Sequence, residues 1–136
     1  MTAPRIKPPL EKVVQRAVMQ LFRAAGWTVR SLSQYRASHV AVGVPDLMMH
    51  HPRRGLFCWF EVKAPRPQGY DPRSRQNVPR TLAPDQLLFR MDAVACGQRH
   101  YWGGLAEAEA ALIEMGCATR APNGGLLLRG RQEVAA

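Results

Sequence analysis

The sequence predicts a single α/β domain with a central mixed four-stranded sheet, whose elements follow in the order α-β-β-β-α-β. The first observation is size: 136 residues, 46% of them hydrophobic, suffice for one core and exclude general disorder. The second is an apolar run at helical spacing, followed by three short strand-like runs. The third is a later helical run that is followed by one more strand-like segment.

The first helix is predicted to begin near residue 10 and to stop at Gly26, a common residue after a helix end. Its apolar residues recur every three or four positions and form one wide stripe. These residues are Leu10, Val13, Val14, Ala17, Val18, Leu21, Phe22 and Ala25. Residues 27–34 then alternate apolar and polar side chains, which is typical of a half-buried strand.

Two further strands are predicted over 46–50 and 56–63. The second of them, "LFCWFEVK", is apolar on both faces. The turn "HPRRG" over 51–55 separates the two runs, so they are expected to pair as a hairpin.

A long basic loop over 64–81 follows, with four Pro, four Arg and no apolar period. The next helix begins near Pro84, with Pro in its first turn, and ends at Gly97. Its predicted core-facing stripe consists of Leu87, Leu88, Met91, Val94 and Ala95. A short strand over 99–103 and a last helix over 105–115 complete the pattern.

These runs divide the chain into three parts. Residues 1–9 are expected to form a basic, Pro-rich arm, and residues 10–116 the folded domain, with the loop over 64–81 as an insertion. Residues 117–136 are expected to form a loose C-terminal tail, of which residues 126–128 could dock on the domain.

The charge balance favours a polyanionic partner. The chain holds 19 Lys and Arg against 10 Asp and Glu, a formal net charge of +9, which points to nucleic acid before an anionic membrane surface. The three cysteines form no CxxC pair, which argues against a structural zinc site or a disulfide framework and favours a reducing cytoplasm. No apolar stretch approaches the roughly 18 residues of a membrane span, and the N-terminus lacks the apolar core of a signal peptide.

Three acids stand alone among the bases of the first seventy residues: Glu11, Asp46 and Glu61. Asp46 begins the second predicted strand, while Glu61 and Lys63 are two residues apart on the third and therefore point to one face. If the hairpin pairs as predicted, Asp46 lies near Glu61, and two adjacent carboxylates repel unless a cation lies between them. Oxygen ligands suit Mg²⁺ or Mn²⁺, and such an ion activates water for attack on a phosphodiester. Lys63 would then act as a point charge beside the developing negative charge.

A family resemblance rests on these same residues. "PD" at 45–46 followed by "EVK" at 61–63 resembles the PD-(D/E)xK nuclease signature. The longer segments "GVPDL" (43–47), "FEVKAP" (60–65) and "LAPDQLLF" (82–89) resemble the VRR-NUC family of that superfamily, whose small stand-alone members are typically phage or bacterial proteins. The resemblance covers roughly residues 10–103 and implies a restriction-endonuclease-like core.

The resemblance also implies roles for individual residues. Asp46, Glu61 and the backbone carbonyl of Val62 would bind the metal, and Lys63 would be the catalytic lysine. Two further residues match the pattern: Gln86 would hydrogen-bond near the lysine or the attacking water, and Glu11 would complete the metal shell through a water. The chain departs from the pattern at Ala83, where the family often has Ser or Thr, and in the length of the loop over 64–81.

Each of these signals also has an ordinary structural explanation. Asp46 would suit a turn after a proline, and Glu61 with Lys63 would suit a surface ion pair at a strand end. Glu11 and Gln86 would suit the first turn of any helix. Two other features are assigned to structure rather than to a site. The adjacent pair His50 and His51 points to opposite strand faces, and Trp27, Trp59 and Trp102 are expected in the core.

The basic loop has three possible roles: to grip phosphates, to embrace a second subunit, or to serve as a solvated linker. Its candidate nucleic-acid-binding residues are Arg66, Arg73, Arg75 and Arg80. Arg30 and Arg36 flank the candidate site in sequence and are further candidates for contact with the nucleic-acid backbone.

The predicted function is therefore a Mg²⁺- or Mn²⁺-dependent endodeoxyribonuclease. The family resemblance implies a substrate of branched or structured DNA, as for a Holliday-junction resolvase, and a homodimer, because two cuts need two active centres. The expected setting is the cytoplasm of a bacterium or of a phage-infected cell. Two alternatives remain open: a DNA-binding module that has kept the nuclease fold but lost activity, and a structural protein that packs nucleic acid.

Overall fold

A computed structural model describes residues 6–32, 42–74 and 76–129 of the chain. The described part contains three α-helices and six β-strands. They are α1 (Glu11–Ala24), β1 (Thr28–Ser31), β2 (Leu47–His51), β3 (Leu56–Val62), α2 (Pro84–Ala95), β4 (Arg99–Gly103), α3 (Leu105–Glu114), β5 (Ala118–Arg120) and β6 (Leu126–Leu128). The predicted α/β order is confirmed. Among the described residues, no helix has the length and apolar character needed to cross a bilayer.

The main sheet has the strand order β1-β2-β3-β4. The first three strands are antiparallel neighbours, whereas β4 runs parallel to β3 because α2 carries the chain back across the sheet. The predicted mixed four-stranded sheet is therefore confirmed. The register pairs Leu47 with Phe60, so that Asp46 and Glu61 are next in line at the same end of the hairpin.

The core lies between one face of this sheet and the helices α1 and α3. Phe22 of α1 is fully buried and meets Trp27 and Phe60 edge-on, with ring centroids 5.2 and 6.1 Å apart. Cys58 and Val62 flank Phe60 on the same face of β3 and are also buried. The intervening residues of β3, Glu61 among them, consequently face the opposite side of the sheet, toward α2.

The buried stripe of α1 is narrower than predicted. Val14, Val18 and Phe22 are buried, whereas Leu10 and Val13 are exposed. The apolar period marks one broad side of this helix, but the sheet and α3 cover only its central strip.

The predicted core-facing stripe of α2 is wrong. This helix packs through Phe89, whose ring lies 5.1 Å from that of Trp59, and through the buried Ala93. The residues predicted to be buried are instead exposed on the outer side of the helix, with fractional exposures between 47 and 63%: Leu87, Leu88, Met91 and Val94. Ala95 is exposed as well. The apolar face of α2 is therefore turned away from the core of its own chain.

The basic loop over 64–81 is held at its base by backbone pairing. Pro65 and Pro79 form an isolated bridge, and the Arg66 N–H donates to the Val78 carbonyl at 2.8 Å. Farther out along the loop, the side-chain amide of Asn77 donates through Nδ2 to the backbone carbonyl of Asp71 at 2.7 Å. These bonds replace the regular secondary structure that the Pro-rich sequence excludes.

The described part of the C-terminal segment is not a loose tail, and the docking that the sequence allowed for residues 126–128 is observed. Strands β5 and β6 form a two-stranded antiparallel sheet, and Leu126 and Leu128 pack against the core. The Arg129 N–H then donates to the Cys117 carbonyl at 2.9 Å. Two alternate leucines of a three-residue apolar run are enough to dock the hairpin. Because so short a run hardly changes the composition of the segment, composition alone suggested a tail.

Candidate active site

Asp46 and Glu61 are brought together at the end of the β2–β3 hairpin. The Val62 N–H donates to Asp46 Oδ2 at 3.0 Å, and the Asp46 N–H donates to Glu61 Oε2 at 3.2 Å. Each carboxylate thus accepts from the backbone of the other strand. The two residues are only 7% and 2% exposed, and a buried carboxylate is tolerated where N–H donors replace its water. The sequence prediction that these acids are neighbours agrees with this geometry.

The segment before Asp46 is fixed by close packing on the start of α2. Gly43 has φ +93°, and a Cβ at this position would lie 2.5 Å from the Asp85 carbonyl oxygen. Only glycine satisfies both the left-handed backbone and the contact. On the other side, the Leu32 N–H donates to the Asp46 carbonyl at 2.7 Å and extends the β1–β2 pairing to the site.

Gln86 joins the carboxylate pair to the first turn of α2. Its Nε2 donates to Glu61 Oε1 at 2.9 Å, while its Oε1 accepts from the Ala83 N–H at 2.9 Å. The residue therefore caps the helix and orients Glu61 at the same time. Because Ala83 has no side-chain acceptor, Gln86 supplies this half of the capping interaction alone.

Lys63 follows directly after the last residue of β3. Its backbone N–H donates to the Gly103 carbonyl at 2.9 Å, which continues the parallel pairing with β4 by one residue. The residue is half-buried. Within the described part of the chain, its ammonium group makes no ion pair, so it remains available to a bound anion.

A cavity of about 580 Å³ opens between α1 and this end of the sheet. Glu11, Asp46 and Val62 all line it, so the structure brings the acid of the first helix to the same cavity as Asp46. Glu11 is exposed, and in the described ranges no three His, Cys, Asp or Glu side chains lie close enough to form a complete metal cluster. The wall also contains Lys12, Arg16 and Arg23 of α1, which the sequence analysis did not select.

The predicted DNA-binding arginines are dispersed. Arg30 is exposed on β1, and Arg66, Arg73 and Arg80 are exposed along the basic loop that begins just after Lys63. Two further candidates, Arg36 and Arg75, lie outside the described residues.

The two buried histidines, His51 and His100, belong to the scaffold rather than to this site. His51 is buried on the core face, 5.8 Å from the Trp27 ring, and burial lowers its pKa. His100 lies under α2, where burial and then the Arg90 guanidinium lower its pKa to about 4. Of the tryptophans, Trp27 is buried as predicted, whereas Trp59 and Trp102 are half-buried on the α2 side of the sheet.

Comparison with solved structures supports a nuclease-fold domain. A solved structure described as "VRR_NUC domain" is similar to this chain, with 28% sequence identity and a TM-score of 0.53. The similarity covers 76% of this chain and 94% of that chain. No family model and no curated protein matches the chain.

The likeness in fold and sequence supports membership of the VRR-NUC family, within the restriction-endonuclease-like fold. The resemblance to this family that was inferred from "GVPDL" and "FEVKAP" is therefore confirmed. The roles of individual site residues stay predictions.

Proposed function

We propose that the chain is a metal-dependent DNA endonuclease whose active centre is formed by Asp46, Glu61 and Lys63, assisted by Gln86. The observation that carries this proposal is the buried carboxylate pair at the end of the β2–β3 hairpin. An ordinary surface ion pair would be exposed and would contain a base. Here the two acids adjoin each other and remain almost fully buried, and Asp46 borders an open cavity.

The donor set fits a hard divalent cation, Mg²⁺ or Mn²⁺. Carboxylate oxygens of Asp46 and Glu61 and the backbone carbonyl of Val62 are oxygen ligands, which such ions prefer. Each carboxylate oxygen has two lone pairs, so the N–H bonds described above leave room for a cation. Glu11, which lines the same cavity as Asp46 and Val62, would add its carboxylate through a water.

The protein residues hold this centre in shape. Asp46 is fixed by the Val62 amide, and Glu61 by Gln86 and the Asp46 amide, so neither acid needs to reorganise when charge develops. A bound cation would polarise the phosphodiester and activate a water. The Lys63 ammonium would stabilise the negative charge that develops on the phosphate during in-line attack.

DNA is the proposed substrate because of the charge of the chain and its family. A net charge of +9 favours a polyanion, and exposed arginines of the basic loop follow directly after Lys63. Branched DNA is the proposed form, since a junction offers two equivalent cleavage points to a two-fold enzyme. The three free cysteines suit a reducing cytoplasm.

The cleavage test uses labelled four-way junction, flap, duplex and single-stranded DNA, each with Mg²⁺, with Mn²⁺ or with EDTA. The proposal predicts cleavage that depends on the metal and is strongest on the junction. Metal-dependent cleavage of another substrate would retain the nuclease and reject the junction preference. Binding without cleavage under either metal would favour the inactive DNA-binding module.

We also propose that the exposed apolar face of α2 is the contact between two copies. Leu87, Leu88, Met91 and Val94 form a patch of a kind that monomers rarely leave exposed. The helix sequence "PDQLLFRMDAVA" contains one base and two acids, so this face does not suit DNA. A second copy of α2 suits it, because identical apolar faces are complementary about a two-fold axis.

The dimer test compares Leu88→Lys with Leu127→Lys. Both leucines are more than half exposed, at 63% and 55%, but Leu127 lies on the β5–β6 hairpin. Light scattering after gel filtration should report a dimer for the wild type and for Leu127→Lys, and a monomer for Leu88→Lys. A dimer that survives Leu88→Lys would remove α2 from the interface.

A further inference from the structure

One flank of α1 carries a stripe of three bases: Lys12, Arg16 and Arg23. They are four and seven residues apart, spacings that place them on the same side of a helix, and all three are exposed. The first and the last are eleven positions apart, which corresponds to about 16 Å along the helix axis.

This basic stripe lies along the wall of the active-site cavity. The cavity that contains Asp46 and Val62 is also lined by Lys12, Arg16 and Arg23. Lys12 is next to Glu11, at the end of α1 that belongs to the candidate site, and Arg23 is at the far end of the helix. The stripe therefore leads away from the carboxylates along one side of α1.

None of these three bases takes part in an ion pair within the described ranges. The acids of α3 lie beyond the other flank of α1, where Val13 and Ala17 share a cleft with Glu107 and Glu109. Apart from Glu11 and Asp46 at the site end of the cavity, one flank of α1 is thus basic and open, whereas the other is apolar and borders Glu107 and Glu109. Such a separation of charge favours a polyanion on one side only.

We propose that the basic stripe of α1 is the track for the sugar-phosphate backbone of the DNA strand that enters the proposed active centre. This inference rests on the nuclease function proposed above and assigns the DNA path to residues outside the basic loop. A stripe of about 16 Å corresponds to roughly five nucleotides at about 3.4 Å of axial rise per nucleotide. Three cations over that length would contact up to three phosphates and carry no sequence preference.

The test measures how DNA binding depends on salt. Fluorescein-labelled duplex and four-way junction are titrated with protein in EDTA, which prevents cleavage, between about 0.05 and 0.2 M salt. The triple variant Lys12→Gln/Arg16→Gln/Arg23→Gln should lower the slope of log K against log salt by about 2 to 3, since each lost phosphate contact removes about 0.9. At about 0.1 M salt, its affinity should be at least tenfold weaker.

The matched control is Arg53→Gln/Arg99→Gln/Arg129→Gln. It removes the same charge from exposed positions outside α1. A control slope within about one unit of wild type, beside the larger loss for the α1 variant, would support the track. Equal losses for the two triple variants would overturn it, because they would show only a general effect of net charge. If the α1 triple variant does not fold, Lys12→Gln, Arg16→Gln and Arg23→Gln are measured singly, each with an expected slope loss of about 0.9.

Failure of the track and failure of the nuclease are distinguishable. The salt slopes are measured in EDTA, whereas cleavage by the wild-type protein is measured separately in Mg²⁺, with protein saturating over the junction. A normal salt slope for the α1 variant would reject the track and leave the nuclease intact. No cleavage by the wild-type protein would reject the nuclease, while the salt slopes would still decide which face binds DNA.

Discussion

Gln86→Ala tests whether one amide both caps α2 and holds Glu61. The substitution removes the bond from Nε2 to Glu61 Oε1 and the bond from the Ala83 N–H to Oε1, each 2.9 Å long. The cap contributes about 1 kcal/mol and a hydrogen bond to a charged group about 1.5 to 3 kcal/mol, so the expected loss is about 2.5 to 4 kcal/mol. For 136 residues the entropy of unfolding is about 0.29 kcal/mol per kelvin, which converts this loss to a fall in Tm of roughly 9 to 14 °C.

Glu107→Ala is the matched control. On α3, Glu107 Oε1 accepts from the Gly104 N–H at 2.8 Å. This bond caps α3 in the way that the Ala83 N–H to Gln86 bond caps α2. Unlike Gln86, Glu107 does not also donate to a carboxylate. Its loss of stability should be about 1 kcal/mol. Calorimetry that finds equal losses for Gln86→Ala and Glu107→Ala would refute the claim that Gln86 stabilises Glu61.

Gln86→Glu tests the same bond by charge. The new carboxylate keeps an acceptor for the Ala83 N–H but faces Glu61 with like charge. The variant should be less stable than Gln86→Ala at neutral pH and should recover in acid, when the two carboxyls share a proton. Stability that does not recover in acid would contradict this reasoning.

Three further perturbations have definite expected outcomes. Gly43→Ala should destabilise the protein in urea titrations by about 1 to 3 kcal/mol more than Gly97→Ala. Both glycines have positive φ, but of the two only Gly43 would bring a Cβ against backbone, at 2.5 Å. Equal losses of stability for the two variants would exclude the clash. The pKa of His100 lies at about 4, below its ordinary value of 6.5, so the unfolded chain binds a proton first and stability should fall as the pH drops from about 6.5 to about 4. His100→Gln should remove up to about 3 kcal/mol of this pH dependence, and urea midpoints that keep the wild-type slope would contradict it. Arg66→Ala/Arg73→Ala/Arg80→Ala should lower the salt slope of DNA binding by about 2 to 3 if the basic loop grips phosphates, and an unchanged slope would remove the loop from the binding surface.

The sequence was informative where local pattern and tertiary position coincide. A short turn between two apolar runs predicts a hairpin. The register of that hairpin places Asp46 beside Glu61 independently of how the rest of the chain folds. Gln86 was assigned two possible explanations, a helix cap and a site residue. In the structure its amide oxygen accepts from the Ala83 N–H and its amide nitrogen donates to Glu61.

The sequence was uninformative where burial depends on a distant layer. The period of α2 identifies an apolar side but not what covers it, so Leu88 and Met91 were predicted to be buried and are exposed. Arg16 and Arg23 were not selected from the sequence, because the cavity beside them exists only once β2 and β3 are packed against α1. The reciprocal amide bonds of Asp46 and Glu61 likewise arise from strand pairing and have no signature in residue spacing.

The most direct test of the account is a single-turnover cleavage rate for Lys63→Ala beside Lys7→Ala. Protein is held in saturating excess over a labelled four-way junction in Mg²⁺, so the rate reports chemistry rather than binding. Lys63 is the proposed charge at the reacting phosphate, and its loss should slow cleavage by about 100-fold or more. Lys7 is exposed before α1, and its variant should cut like the wild type. Equal rates for the two variants would contradict the assignment of the active centre to Asp46, Glu61 and Lys63.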